Sequence, residues 1–334
     1  MKKSDAVQII LQDRLYHLPL NTVGKSFAPT NIALCKYWGK RNQELNLPVT
    51  SSLSISLGDK GATAEITINS SCDEIILNGN LVALDSAFSQ RLTNYLNLFR
   101  LEKQLYFSIQ IESNIPIAAG LASSACGFAS IIKALDALFG WQLSTSELSI
   151  LARLGSGSAS RSLWQGFVEW HAGSLDNGMD SFGVPIATLW PELCIGLLIL
   201  NEQEKIISSR LAMQRTLETS ALYSAWPEKV AVDMIKLKEA ISSHNFKLLA
   251  ETSESNAMTM HATMLSAWPA VCYYLPETLL AMQKIWKLRE QGLAIYFTQD
   301  AGPNLKLLFL KKDLHSVVEQ FNKIEIVSPF GLIQ

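Results

Sequence analysis

The chain has 334 residues, of which 48% are apolar and 17% charged, with a formal net charge of −2. That composition excludes an intrinsically disordered chain, and the absence of a basic excess gives no footing for a nucleic-acid partner. Single hydrophobic cores stop growing at roughly 250–300 residues, so two lobes are expected.

The N-terminal stretch MKKSDAVQIILQDRLYHL carries two lysines but only the short apolar run 7–11, broken by Gln8 and followed by charges. It makes a poor secretory signal. No stretch approaches the roughly 20 apolar residues that cross a bilayer, so the sequence reads as a soluble, cytoplasmic protein with no membrane partner. Residues 62–68 alternate as a strand, and 74–77 and 81–84 flank Asn78-Gly79-Asn80, a hairpin turn. An amphipathic helix is predicted over 85–100. Leu105, Phe107, Ile109 and Ile111 alternate with polar residues, the pattern of a half-buried strand. Residues 121–139 are nearly all small or apolar and predict a buried helix, while Ser144 and Glu147 form a capping box ahead of 148–154.

A buried strand is predicted at 193–200. Beyond it helical patterns dominate from 209 to 290, with Pro227 and Pro276 at first-turn positions, and strands at 293–298, 305–310 and 324–327 surround a short helix at 313–321. The change of texture places a boundary near residue 195 and divides the chain into 1–195 and 196–334. Cys35, Cys72, Cys126, Cys194 and Cys272 are scattered, odd in number and form no CxxC pair, as expected of reduced thiols.

Three segments are built to hold an anion or move a proton: 117–124 (IAAGLASS), 155–161 (GSGSASR) and 300–304 (DAGPN). In the first, a small-residue loop feeds a helix, which exposes N–H groups and the positive end of the helix dipole to phosphate. The same residues would also make a tight helix start packed on a sheet. In the second, Arg161 flanked by Ser156, Ser158 and Ser160 suits a carboxylate or phosphate, although a mobile connector ending in a solvated arginine has the same composition. In the third, Asp300 follows a strand and precedes the turn formers Gly302 and Pro303; it can serve as a base or simply cap the turn. Lys36 and Lys40, around Tyr37-Trp38-Gly39, can neutralise phosphate charge and hold a nearby carboxylate ionised, or be ordinary surface lysines.

Familiar alternatives fail on context. Gly24-Lys25-Ser26 resembles the end of a phosphate-binding P-loop, but Pro19 stands where its first glycine belongs. The glycines from 155 follow a helix rather than a strand, which excludes a dinucleotide-binding turn. The five histidines, His17, His171, His244, His261 and His315, have no metal-ligand spacing, and no serine sits in a nucleophile elbow.

The ordered set APTNIA (28–33), KYWGK (36–40), LP (47–48), SSLS (51–54), AAGLASSA, GSGSASRS, GFVEW (166–170), LWPEL (189–193), SSR (208–210), MHAT (260–263) and DAGPN resembles the mevalonate diphosphate decarboxylases of the GHMP kinase superfamily. Three departures stand out: Ile117 where Thr is expected, Gln299 where an apolar residue is common, and Ser160 in place of a frequent Cys. The fold implied is a two-lobed α+β GHMP kinase type, with a ribosomal protein S5 domain 2-like N-terminal domain carrying the ATP phosphate loop and a ferredoxin-like C-terminal domain. A homodimer is implied as well.

The resemblance implies that ATP, with Mg²⁺, phosphorylates the tertiary 3-hydroxyl of mevalonate 5-diphosphate; loss of phosphate and CO₂ then yields isopentenyl diphosphate. Its catalytic residues would be Asp300, Lys36 and Arg161. Tyr37, Lys40, Ser156, Gly157, Ser158, Arg161, Arg210 and Met213 would bind substrate. On the nucleotide side would stand Asn31, Ala119, Gly120, Leu121, Ala122, Ser123, Ser124, Lys205 and Ser209, with Ser124 also offered to Mg²⁺. A relative acting on mevalonate 5-phosphate, a small-molecule kinase that releases no CO₂, and a non-enzymatic nucleotide sensor are the alternatives on the same scaffold.

Overall fold

A computed structural model of the chain describes residues 1–100, 105–115, 123–203 and 207–331. It opens with helix α1 (Lys3–Leu11), continued by a 3₁₀ turn (Gln12–Tyr16). The short apolar run read only as a poor signal is the buried face of this helix, since Ala6, Val7, Ile10 and Leu11 recur at helical spacing and are enclosed. Arg14 pins the segment down by donating to Ile10 O at 2.8 Å and to Trp141 O at 2.9 Å.

The first unit continues with β1 (Val23–Cys35), β2 (Lys40–Asn42), β3 (Leu47–Pro48), β4 (Ser52–Asn69), β5 (Glu74–Leu77), β6 (Asn80–Leu81) and α2 (Ala87–Leu96). Then come β7 (Tyr106–Ser113), α3 (Ser123–Phe139), α4 (Thr145–Gly155), β8 (Phe167–Trp170) and β9 (Gly183–Ile186). Among the described residues β4 to β9 form a sheet of order β6-β5-β7-β4-β8-β9 with β1 also pairing β4, while β2 and β3 pair as a separate two-stranded ribbon. The strand expected over 62–68 is the C-terminal part of β4, which starts ten residues earlier, where Ser and Gly mask its alternation. No strand was expected at β1. Its last eight residues are all buried, so no period-2 pattern shows, and its pairing with β4 shifts register at Pro29/Asn31 and again at Ala33/Cys35. Leu77 pairs with Asn80 around Asn78 and Gly79, whose φ angles are 47° and 76°, so the hairpin turn has two central residues rather than three.

The second unit holds β10 (Leu193–Leu198), α5 (Ser209–Thr219), α6 (Trp226–Ser243), α7 (Phe246–Leu265), α8 (Pro276–Glu290), β11 (Tyr296–Gln299), β12 (Leu305–Leu310), α9 (Leu314–Gln320) and β13 (Ile324–Val327). Its strands pair antiparallel in the order β11-β12-β10-β13, along a path of strand, helices, two strands, helix and strand. Pro227 and Pro276 occupy the first turns of α6 and α8. One face of β12 sends Leu305, Leu307 and Phe309 towards α8 and α9, while Leu308 points the other way. That second face is continuous with the rest of the molecule. Leu53, Ile66 and Phe167 of the first sheet, Trp226, Leu249 and Met260 of the helices, and Leu308 and Val327 of the second sheet belong to one buried cluster.

Gly24 explains why GKS lies where it does. A Cβ on Gly24 would come within 2.0 Å of Ala134 O and 2.7 Å of Leu138 Cβ, so α3 rests directly on the backbone of β1. Gly24→Ala is expected to lower stability by about 1–3 kcal/mol through forced separation of strand and helix, read as a fall in the urea midpoint at unchanged m-value. An unchanged midpoint would remove this packing role.

Candidate active site

A cavity of about 1150 Å³ lies where the two units meet. Asn31, Lys36, Tyr37, Lys40, Ser124 and Ser156 border it from the first unit, together with Gly157, Ser158 and Arg161. Ser209, Arg210, Met213 and Asp300 border it from the second. Sites more than 250 residues apart in sequence thus share one space. Ala119, Gly120, Leu121, Ala122, the Ser123 side chain and Lys205 lie outside the described residues.

The acid is placed by the edge strand β11, which ends at Gln299 and releases Asp300 into a tight turn. Gln299 is fully buried and donates through Nε2 to Gly302 O at 2.8 Å, which accounts for a polar residue at this point of the strand. His261 of α7 donates through Nε2 to Asp300 O at 3.1 Å. Burial holds that imidazole's pKa down at about 3, so it is neutral and acts as a main-chain strut. Asn304 Oδ1 accepts from Leu200 N at 2.7 Å and Asn201 N at 2.9 Å, tying the far end of the DAGPN turn to the end of β10.

The Asp300 carboxylate meets two buried ammonium groups. Lys36 Nζ donates to Oδ1 at 2.8 Å, and Lys306 Nζ lies 3.4 Å from Oδ2. Both lysine side chains are 2% exposed, against 26% for the acid. Burial lowers the Lys36 pKa, and the Asp300 charge opposes that shift. Lys36 itself is fixed twice: Nζ donates to Ala33 O at 2.7 Å, and its backbone N–H donates to Asn256 Oδ1 at 2.8 Å. Asn256 Nδ2 donates onward to Asp233 Oδ2 at 2.8 Å, and Lys229 neutralises that buried acid at 2.6 Å. A chain from α6 through α7 to the end of β1 therefore sets the position of the lysine.

The guanidinium at 161 comes from a 3₁₀ turn (Gly157–Arg161) that follows α4 directly. This segment is buried, and Ser160 Oγ closes it by donating to Gly157 O at 2.7 Å, so it is no mobile connector. Arg161 donates through Nη1 to Ser52 Oγ and through Nε to Asn31 Oδ1 at 3.3 Å, and its Cζ lies 5.8 Å from the Trp170 ring. Nη2 makes no hydrogen bond with another described residue, and Arg161 borders the cavity. Asn31, placed by family resemblance on the nucleotide side, is here engaged with Arg161 and with Ser162 Oγ at 2.7 Å. Burial brings the Arg161 pKa down to about 10, which leaves it charged at neutral pH.

Gly157 is required by packing, because a Cβ there would sit 2.8 Å from the Tyr37 ring. Tyr37 packs edge-on to Trp170 with centroids 4.8 Å apart, and its buried hydroxyl has no hydrogen-bond partner among the described residues. Ser124 Oγ and Ser156 Oγ stand 3.2 Å apart at the start of α3. Lys40 Nζ donates to Asn46 Oδ1 at 2.7 Å. Burial, then repulsion from Arg210, Lys3 and Arg91, brings the Lys40 pKa down to about 8.

Sequence reasoning missed Lys306, Arg91 and Lys3. Lys306 had a signal, a charge inside the otherwise apolar strand LKLLFL. Arg91 and Lys3 had none, for each is an ordinary helix-surface cation until the fold turns it towards the cavity.

Known proteins resemble the chain over most of its length. Residues 28–183 match the family described as Diphosphomevalonate decarboxylase-like N-terminal domain, and residues 195–328 match the Mevalonate 5-diphosphate decarboxylase C-terminal domain. A diphosphomevalonate decarboxylase of Candida albicans is 36% identical over 299 residues, covering 84% of this chain and 83% of its own. A solved mevalonate diphosphate decarboxylase from Staphylococcus aureus superposes with a TM-score of 0.86 at 35% identity, over 92% of this chain and 95% of its own. A structure of MDDEF in complex with MVAPP, AMPPCP and magnesium superposes with a TM-score of 0.84 at 39% identity, over 92% of this chain and 98% of its own. The fold is the α+β GHMP kinase type of these proteins, and this chain belongs to the mevalonate diphosphate decarboxylase family.

Proposed function

We propose that the protein catalyses the ATP-dependent decarboxylation of mevalonate 5-diphosphate to isopentenyl diphosphate, CO₂, ADP and phosphate. What carries this reading is that the Asp300–Lys36 pair and the Arg161 guanidinium border the same cavity. Asp300 accepts a hydrogen bond from the 3-hydroxyl, aligns its oxygen with the γ-phosphoryl group, and takes the hydroxyl proton as the new O–P bond forms and the bond to the departing ADP breaks. A carboxylate held between two ammonium groups is a weak base, and phosphoryl transfer through a loose transition state asks for alignment and charge neutralisation more than for base strength. The 3-phosphate then leaves with the C3–O bonding pair, and the pair of the C1–C2 bond becomes the C2=C3 double bond as CO₂ departs. Arg161 binds the substrate carboxylate through Nη2, with Ser156 and Ser158 beside it, and holds the breaking C–C bond in line with the departing oxygen. Tyr37, Lys40 and Arg210 bind the diphosphate, and Met213 lines the pocket.

Residues 119–124, from Ala119 and Gly120 to Ser123 and Ser124, lead into the start of α3 and suit the ATP phosphates. Lys205 and Ser209 complete that side. Ser124, at the start of α3 and bordering the cavity, would offer its Oγ to Mg²⁺. When bound, the ion neutralises charge on the transferring phosphoryl group. We assign 1–195 and 196–334 to an S5 domain 2-like unit and a ferredoxin-like unit. In support, the two larger sheets are built from strands on either side of that division, apart from β10, which straddles it. A cytoplasmic homodimer completes the reading, and no described helix is long and apolar enough to cross a membrane.

Incubating the protein with ATP, Mg²⁺ and mevalonate 5-diphosphate is expected to release CO₂ and ADP in equal amounts; ADP without CO₂ would make it a kinase. Asp300→Ala should cut kcat by about 10²–10⁴-fold while ATP binding, measured by calorimetry, stays near wild type. Normal turnover by that variant would end its proposed role. Lys40 has to be protonated to bind an anion, and its pKa in the free protein is about 8. The ratio kcat/KM should therefore fall as pH rises through about 8, and Lys40→Arg should move that limb upward, since a guanidinium stays charged. A limb that ignores the substitution would assign it to another group.

A further inference from the structure

We infer that α1 supplies a further binding residue, Lys3, to the phosphate end of the cavity, where it favours a terminal diphosphate over a monophosphate. The inference rests on the reaction proposed above and adds to it the residue that sets this selectivity. Lys3, Lys40, Arg91 and Arg210 reach the cavity from α1, β2, α2 and α5. The acid that borders them, Glu44, has Oε1 engaged by the Lys3 backbone N–H at 3.2 Å. The Lys3 ammonium and the Arg210 guanidinium form no hydrogen bond with a described residue; Arg91 donates through Nη2 to Gly155 O at 2.7 Å, and its buried Nε has no partner among the described residues. These cations repel one another: burial lowers the Lys3 pKa, Glu44 opposes that shift, and Arg210 and Arg91 lower it further, while burial and then Arg210 lower that of Arg91.

Glu44 supplies a single negative charge against four cations, so the rest is relieved by an anion carrying several charges. A terminal phosphate brings about two negative charges near neutral pH, and a diphosphate adds another charge and further acceptor oxygens. Lys3 is delivered by a built element. Ala6, Val7, Ile10 and Leu11 are buried beneath it, Asp5 Oδ2 accepts from Lys2 N at 2.8 Å, and Arg14 fastens the end of the helix. The region matched to the family begins at residue 28, so this contribution comes from a segment outside it.

The test is calorimetric titration of the full chain with mevalonate 5-diphosphate and, separately, with mevalonate 5-phosphate, without nucleotide. Lys3→Ala should weaken the diphosphate by about tenfold and the monophosphate by no more than about twofold, as for loss of one charge-assisted contact, and Lys3→Arg should restore binding. In steady state the same variant should raise KM for the diphosphate while kcat stays within about twofold of wild type. Equal loss for both ligands, no loss, or failure of Lys3→Arg to restore binding at an unchanged thermal midpoint would overturn the inference. If wild type forms no CO₂ yet Lys3→Ala still loses the diphosphate selectively, the proposed reaction fails and this inference stands. If CO₂ forms but Lys3→Ala binds like wild type, the inference alone fails.

Discussion

The site depends on one electrostatic arrangement, a carboxylate clasped between two ammonium groups that water does not reach. Removing ions from water costs several kcal/mol each unless partners restore what hydration supplied. Asp300 is that partner for both Lys36 and Lys306, and Ala33 O and Asn304 O accept further hydrogen bonds from the lysines. Because β1, β11 and β12 each supply one member, the arrangement holds only while the sheets keep their relative position. The Asn256 amide answers that demand by fixing the Lys36 main chain, and the neutral His261 ring does the same for the main chain at Asp300. Two helix-borne side chains thus hold an ionic contact without adding charge to it.

The guanidinium at 161 follows a different strategy. Ser52 and Asn31 occupy two of its nitrogens and the Trp170 face lies nearby, so its position is settled before substrate arrives. Preorganisation of this kind removes reorganisation from the reaction step, which is where an enclosed site gains over water. The cations around Lys40 contrast with it, since they carry charge that protein groups leave largely uncompensated. One region of the cavity is thereby locked by internal pairing, while the other awaits a polyanion.

Much of this was legible as pattern and little of it as role. The capping box at Ser144 and Glu147, the first-turn prolines and the buried strand near 193 follow from local chemistry, which survives folding unchanged. β1 escaped notice because a strand covered on both faces has no alternation to display. Residues 155–161 admitted both an anion site and a loose connector, and only burial under neighbouring elements separates the two. Asp300, Lys36 and Arg161 received their roles through family likeness, because contacts spanning up to 264 residues leave no mark on local spacing. Lys306 is the exception, for a lysine within an apolar strand is an anomaly that asks for a buried counter-charge.

The continuous core that joins both sheets through Trp226, Leu249 and Met260 bears on how the chain matures. During synthesis the N-terminal half leaves the ribosome with apolar surface still awaiting its cover, because the helices that shield it are translated later. Division at the family boundary would expose the same surface on both fragments, so neither is suited to separate production. The polypeptide is better regarded as one body, because Lys36 and Asp300 can meet only when both halves are present.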